Sequence, residues 1–304
     1  KKIVYRTILN ENLDPIQEVE FQTNYGIFRS QAPGCNMNEK LSKKEQKNLY
    51  AITSFTYEQI EQFLPRDSYL KFAVSRCLFL LYQTQQRLSF LNLIQNLTKK
   101  EKQNIPAMIF DLCTVGNCLI SISSQQAANQ FELVQNVAQF MEKVNITKFT
   151  NFPFLENINQ FVQDPAIQFF ITFPDDLEEI KLEHPLLKDE SLQQRIQQTF
   201  SFFSVQNQQN LNLKAFQTIQ RDRVIKYQDF DNIQSLLYQI KHHKKYIFDL
   251  RGVQDMSAVQ LAIGGNCEQV QLGSLWAQDT WQKVNEFRRT EEGNEFMYGC
   301  EDWQ

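Results

Sequence analysis

Ile240–Gly252 reads IKHHKKYIFDLRG. A basic turn, Lys241-His242-His243-Lys244-Lys245, runs into the short apolar segment Tyr246–Leu250, which carries Asp249 and is followed by Arg251-Gly252. A brief continuous apolar run bounded by a charged turn and an Arg-Gly pair is the pattern of a buried strand. Upstream, Ile233, Leu236, Leu237 and Ile240 fall on one face of a helix, and Arg223–Phe230 (RVIKYQDF) reads as an earlier strand. Strand, helix and strand in that order make a β-α-β unit. The polar loop at the carboxyl end of such a strand is where sheets of this kind place ligands. Asp249 and Arg251 lie two residues apart, on the same face of an extended chain, which makes them a candidate site, although an ion pair that only holds the loop is the readier explanation.

Working outward, Met256–Ile263 is expected as a short helix, Gly264-Gly265-Asn266 as a turn, Gln269–Leu272 as a last strand and Trp276–Arg289 as a helix. Thr290–Gln304 is left as an acidic, aromatic tail. Toward the N-terminus, Pro106–Leu112 is a second buried strand that shares the tetrapeptide Ile-Phe-Asp-Leu with Ile247–Leu250, so Asp111 matches Asp249. Cys118–Ser123 follows as an alternating strand, Gln125–Val144 as an amphipathic helix, and Pro165–Pro174 as a strand bracketed by prolines. Ser68–Leu97 is the strongest helical pattern, through Val74, Cys77, Leu81, Leu88 and Leu91, either unbroken or broken near Thr84-Gln85-Gln86. The expected fold is α+β, with a helix-rich N-terminal part and a smaller mixed α/β, sheet-containing C-terminal part. Residues 1–40 read as an extended N-terminal arm, 41–180 as a helix-rich region with a short β element, and 181–304 as an α/β region with an aromatic tail. The acidic stretch 175–190 marks the boundary.

The length of 304 residues suits one large domain or two ordinary ones, and 42% hydrophobic residues suffice for a core. Only 9 Gly and 8 Pro stand beside 25 Phe, which favours helices over a many-stranded sandwich. Gln is about one residue in eight, scattered through amphipathic segments as a neutral solvent-facing residue. The 31 basic and 35 acidic residues leave a net charge of −4, so no nucleic-acid partner is expected. The short basic runs Lys43-Lys44, Lys99-Lys100 and Lys241–Lys245 read as solvated helix ends. No apolar run is long enough for a transmembrane segment, and Lys1–Asn10 lacks the apolar centre of a targeting peptide. Six cysteines and sequons at Asn96 and Asn145 allow a secreted, disulfide-containing protein, but the cysteine density is ordinary and buried free thiols are the leading expectation. Cys113 and Cys118 have no His near them in sequence, so no metal site is expected.

Phe230, the helical Ile233–Ile240 and Asp249-Leu250-Arg251-Gly252 resemble in pattern the core of the tail-specific proteases, in which a strand is followed by a helix opened by a Phe-containing turn and a strand ending Asp-Leu-Arg-Gly. The resemblance implies a hydrolase using a Ser nucleophile and a Lys base. This chain departs at Val253-Gln254-Asp255, where the family continues with Asn and Gly, and neither Ser257 nor Ser274 has the surroundings of a nucleophile. A hydrolase, or a degenerate relative of one, centred on Asp249 and Arg251 with Asp111 as a further buried carboxylate, is thus one reading. The histidines, His184, His242 and His243, sit in polar stretches, and Gly264-Gly265-Asn266 makes no phosphate-binding loop, so no cofactor is expected. The leading expectation is a non-catalytic accessory or scaffold subunit of a larger assembly, specifically a mitochondrial complex. Its partners would be other protein subunits, met through Trp276, Trp281, Tyr298 and Trp303, the residue types that anchor interfaces.

Overall fold

The computed structural model describes residues 2–9, 15–32, 39–52, 54–66, 68–100, 104–115, 118–124, 127, 129–143, 166–172, 216–219, 223–292 and 297–298. Its strands are β1 (Lys2–Leu9), β2 (Pro15–Thr23), β3 (Gly26–Ala32), β4 (Asn104–Ile105), β5 (Ala107–Val115), β6 (Cys118–Ser124), β7 (Ile167–Thr172), β8 (Phe216–Thr218), β9 (Val224–Lys226), β10 (Ile247–Asp249), β11 (Gln269–Ser274) and β12 (Met297–Tyr298). Its α-helices are α1 (Lys43–Ala51), α2 (Lys71–Gln86), α3 (Phe90–Thr98), α4 (Gln130–Lys143), α5 (Ile233–His242), α6 (Ser257–Gly264) and α7 (Gln278–Glu292). The fold is α+β. It divides into two compact units, each built from two stretches of chain: Lys1–Asn104 with Ile225–Cys267, and Ile105–Val224 with Glu268–Gln304. The boundary read from the acidic stretch 175–190 lies outside the described residues.

Residues 1–40, expected as an extended arm, contain a three-stranded antiparallel sheet in the order β1-β2-β3. Apolar alternation such as that of Ile3–Leu9 belongs to a sheet with one covered face, and pairing satisfies the backbone groups that this covering takes from water. Val19, Phe21 and Ala32 are buried on the covered face, which packs on α2. On the other face Glu20 is enclosed by Arg6 (2.7 and 3.0 Å), Arg29 (2.5 Å) and Gln22 (2.7 Å). Arg6 first, then Gln22 and Arg29, hold the Glu20 carboxyl far below its ordinary value of 4.5. A depressed carboxylate adds stability above its unfolded value and loses it as pH falls. Glu20→Gln is therefore expected to lower the urea midpoint at neutral pH, with the deficit closing below pH 4.5. A deficit unchanged from about pH 7 to about pH 3 would contradict this account.

Helix α2 is apolar almost all round, and Phe72, Ala73, Val74, Cys77 and Leu78 are buried, as expected of a helix at the centre of a unit. The long helical pattern breaks a residue later than its Gln pair suggested. Arg87 takes the left-handed conformation (φ 54°), and Ser89 caps α3 by accepting from the Asn92 amide at 3.1 Å. The Thr98 hydroxyl donates to the Ile94 carbonyl at 2.9 Å and lies 3.3 Å from the Gly264 carbonyl, tying α3 to α6. Strands β9 and β10 are neighbours joined through α5, the β-α-β element read from the sequence, although β9 is short and Tyr227–Asp229 turns as a 3-10 helix.

In the second unit the strand order is β8-β7-β6-β5-β11. The pairs β5/β6 and β6/β7 are antiparallel, and β11/β5 and β7/β8 parallel. Helix α4 lies on β5, β6 and β7, with Phe140 edge-on to Phe169 at 5.5 Å. Helix α7 packs on α4 and β11 and buries an internal ion pair, Lys283 to Asp279 at 2.7 Å. No helix among the described residues is long and apolar enough to cross a membrane.

Candidate functional site

The carboxyl end of β10 is shaped by a turn. The Val253 amide donates to the Leu250 carbonyl at 3.2 Å, and Gly252 takes φ 68°, a conformation that other residues adopt only with strain. Asp249 and Arg251 meet across this turn. Oδ1 of Asp249 accepts from the backbone amide and Nε of Arg251 at 3.0 and 2.9 Å, and Oδ2 accepts from its terminal nitrogen at 2.7 Å. The carboxylate is 7% exposed. Both of its oxygens are committed to Arg251, a fork that fixes the turn.

Beyond this pair the structure assembles four residues that sequence spacing did not connect. Arg76, in the middle of α2, is fully buried, and its Nε donates to Oδ2 of Asp255 at 3.0 Å. The Tyr227 hydroxyl donates to the same oxygen at 2.9 Å. Oδ1 of Asp255 accepts from the backbone amide of Ser257 at 3.0 Å and from its hydroxyl at 2.5 Å. The Arg76 guanidinium lies 4.5 Å from the centre of the Phe90 ring, and neither of its terminal nitrogens has a hydrogen-bond partner among the described residues. Burial opposes the charge on Asp255, but Arg76 and Ser257 outweigh it and hold the carboxyl below its ordinary range. Burial, followed by the Asp255 charge, pushes the Tyr227 phenol well above 10, so it remains a neutral donor.

The chemistry of this cluster follows from its saturation. A carboxylate offers about four lone-pair sites, and Asp255 receives four donors. The Ser257 hydroxyl points its proton at Asp255. To become a nucleophile it would have to give that proton to a carboxylate held below its ordinary range, which is a poor base. The arrangement works as a clamp that joins α2, the turn after β9 and the loop between β10 and α6. Its sequence signal was Arg76, the one charge inside the apolar run Phe72–Tyr82.

The other candidates lie apart from the clamp. Asp111, on β5 of the second unit, accepts from the Ser121 hydroxyl at 3.1 Å. His242 and His243 each face a carbonyl one turn back in α5, at 2.7 and 2.9 Å, and His184 lies outside the described residues. Among the described residues no group of three or more His, Cys, Asp or Glu could hold a metal ion. Cys77 and Cys267 are buried thiols outside any disulfide, and burial raises the Cys77 thiol far above its usual value. A shallow, open apolar depression in the first unit is lined by residues including Ile3, Phe21, Leu49, Ile52 and Leu81, and no residue of the clamp lines it. Trp276 and Trp281, in the second unit, are 42% and 38% exposed. Tyr298 falls in β12, and Trp303 lies outside the described residues. Compared with known proteins, the chain matches no family model and no curated protein.

Proposed function

We propose that the chain is a non-catalytic accessory subunit that docks on other protein subunits through Trp276 and Trp281. The observation that carries this reading is the exposure of both indoles, 42% and 38%, on a backbone that is itself pinned. The Ser274 hydroxyl accepts from the Trp276 amide at 3.3 Å, and the Thr280 hydroxyl donates to the Leu272 carbonyl at 3.0 Å. The buried Asp279–Lys283 pair fixes the first turns of α7. Side chains presented on fixed backbone lose little entropy on binding. Covering the open part of one indole removes roughly 100 Å² from water, worth about 2.5 kcal/mol as an upper figure.

The test is the native mass of the protein purified gently from its source, with co-purifying chains identified. A reproducible larger complex is expected. Trp276→Ala/Trp281→Ala is expected to release the chain from it while leaving the thermal midpoint within a few degrees. A monomer at the chain's own mass, or a complex indifferent to the double substitution, would refute the reading.

A further inference from the structure

We propose that the carboxyl ends of α3, α5 and α6 form a lysine-rich face that binds the anionic surface of a lipid membrane. Two basic runs far apart in sequence, Lys99-Lys100 and Lys241–Lys245, are brought side by side, with Lys100 Nζ donating to the His243 carbonyl at 2.8 Å. Helix α6 ends in the same place: its last residue, Gly264, meets Thr98 at the end of α3, and Gly265 abuts Ile240 of α5 and Tyr246. None of α3, α5, α6 or the turn 243–246 contains an acidic residue, in a chain where acidic residues outnumber basic ones 35 to 31. Lys99, Lys241, His242, Lys244 and Lys245 are exposed, and Lys100 and His243 are half-buried.

Lysines at helix carboxyl ends offset the helix dipole, and the magnitudes show how much of the cluster that explains. Each helix end carries about half a negative charge, so three together carry about one and a half. Five lysines exceed this more than threefold. Four of them, Lys99, Lys241, Lys244 and Lys245, are exposed, which places the cluster at the lower end of the four to eight basic residues that hold proteins to anionic lipid.

The residue types favour a lipid surface over a structured phosphate ligand. The cluster contains no arginine, the residue whose planar fork suits individual phosphates and nucleic-acid backbones. Lysine neutralises a diffuse negative surface without a fixed geometry. Tyr238, 61% exposed, stands among the lysines with its ring 4.0 Å from the His242 ring. Tyrosine is a residue of the membrane–water boundary. With one face of its ring against His242, it offers a poor stacking platform to a run of bases.

This inference does not rest on the docking of Trp276 and Trp281, which belong to the other unit, and either can fail alone. The full chain is sedimented with vesicles of phosphatidylcholine alone and of phosphatidylcholine with phosphatidylserine. It is expected to pellet with the second only, and less so as salt is added. Lys99→Gln/Lys241→Gln/Lys244→Gln, all at exposed positions, is expected to keep the thermal midpoint and weaken partitioning about a hundredfold, at roughly fivefold per lysine. Lys43→Gln/Lys44→Gln, on α1, is expected to leave partitioning unchanged. The proposal is overturned by no pelleting with either vesicle, by equal pelleting with both, or by a triple variant that binds like the wild type. It is equally overturned if single-stranded RNA or polyglutamate binds through these lysines and the vesicles do not.

Discussion

Asp255→Ala is expected to destabilise the protein by about 3–5 kcal/mol, and Arg76→Met by no more than about 1 kcal/mol. The asymmetry comes from where each charge sits. Arg76 is 0% exposed, whereas the Asp255 side chain is 28% exposed. Removing the carboxylate strands a guanidinium with no counter-charge and no water, and leaves the Tyr227 hydroxyl without its acceptor. Removing the guanidinium leaves a carboxylate that water reaches, that Ser257 and Tyr227 still serve, and that stands at the amino end of α6, where the dipole favours it. Methionine fills a similar unbranched volume beside Phe79 and Phe90. It also removes the two terminal nitrogens that have no partner among the described residues. Urea unfolding of both single variants and the double variant decides the matter. The double variant is expected close to Arg76→Met, because most of the Asp255→Ala cost is the stranded charge. Burial raises the Asp255 carboxyl, but Arg76 and Ser257 leave it below its ordinary 3.8. Its contribution is therefore present above that pH and fades below it, so the Asp255→Ala deficit should narrow in acid. Arg76→Met as the more damaging of the two would show that the clamp is not held this way.

The elements that the sequence revealed are those whose signal is local. The two Ile-Phe-Asp-Leu strands, β5 and β10, are short apolar runs between polar stretches, and α5 shows its stripe in Ile233, Leu236, Leu237 and Ile240. The Asp249–Arg251 pair was visible because its members are two residues apart. What stayed hidden depends on separation along the chain. Arg76 and Asp255 are 179 positions apart, and β11 pairs in parallel with β5, with Gln269 opposite Ala107, across a separation that no hairpin signal covers. The N-terminal alternation signalled strands, but their mutual register, Tyr5 opposite Val19 and Phe21 opposite Phe28, is set by the covered face and not by any one segment. The basic runs 99–100 and 241–245 each look like the end of a helix, and each is one. That they stand side by side is a property of the packing of α3 against α5. The tryptophans could be chosen by type, while their exposure is a tertiary fact.

Gly265→Ala is expected to cost about 3 kcal/mol, the upper end for overpacking a filled core. Gly264-Gly265-Asn266 reads as a turn, and a turn glycine earns its place through backbone freedom. Gly265 needs none, since its φ is −81°. What it needs is the missing side chain. A Cβ there would stand 2.5 Å from the Tyr246 hydroxyl, 2.6 Å from Cγ2 of Ile240 and 2.8 Å from the Leu261 carbonyl oxygen. The last of these is backbone one turn back and cannot step aside without unwinding α6. The first can be removed: Tyr246 is fully buried, and its hydroxyl has no hydrogen-bond partner among the described residues. Tyr246→Phe alone should therefore be close to neutral, because it deletes a buried polar atom that gains nothing in the fold. In the Gly265→Ala background the same change should recover part of the loss, leaving the contacts with Ile240 and Leu261 unrelieved. Thermal midpoints of the two single variants and the double variant measure this directly. Full recovery would mean that the phenol alone sets the approach. An unchanged midpoint for Gly265→Ala would mean that the ends of α5 and α6 are not packed as closely as the glycine implies, and the convergence of helix ends that gathers the five lysines would fall with it.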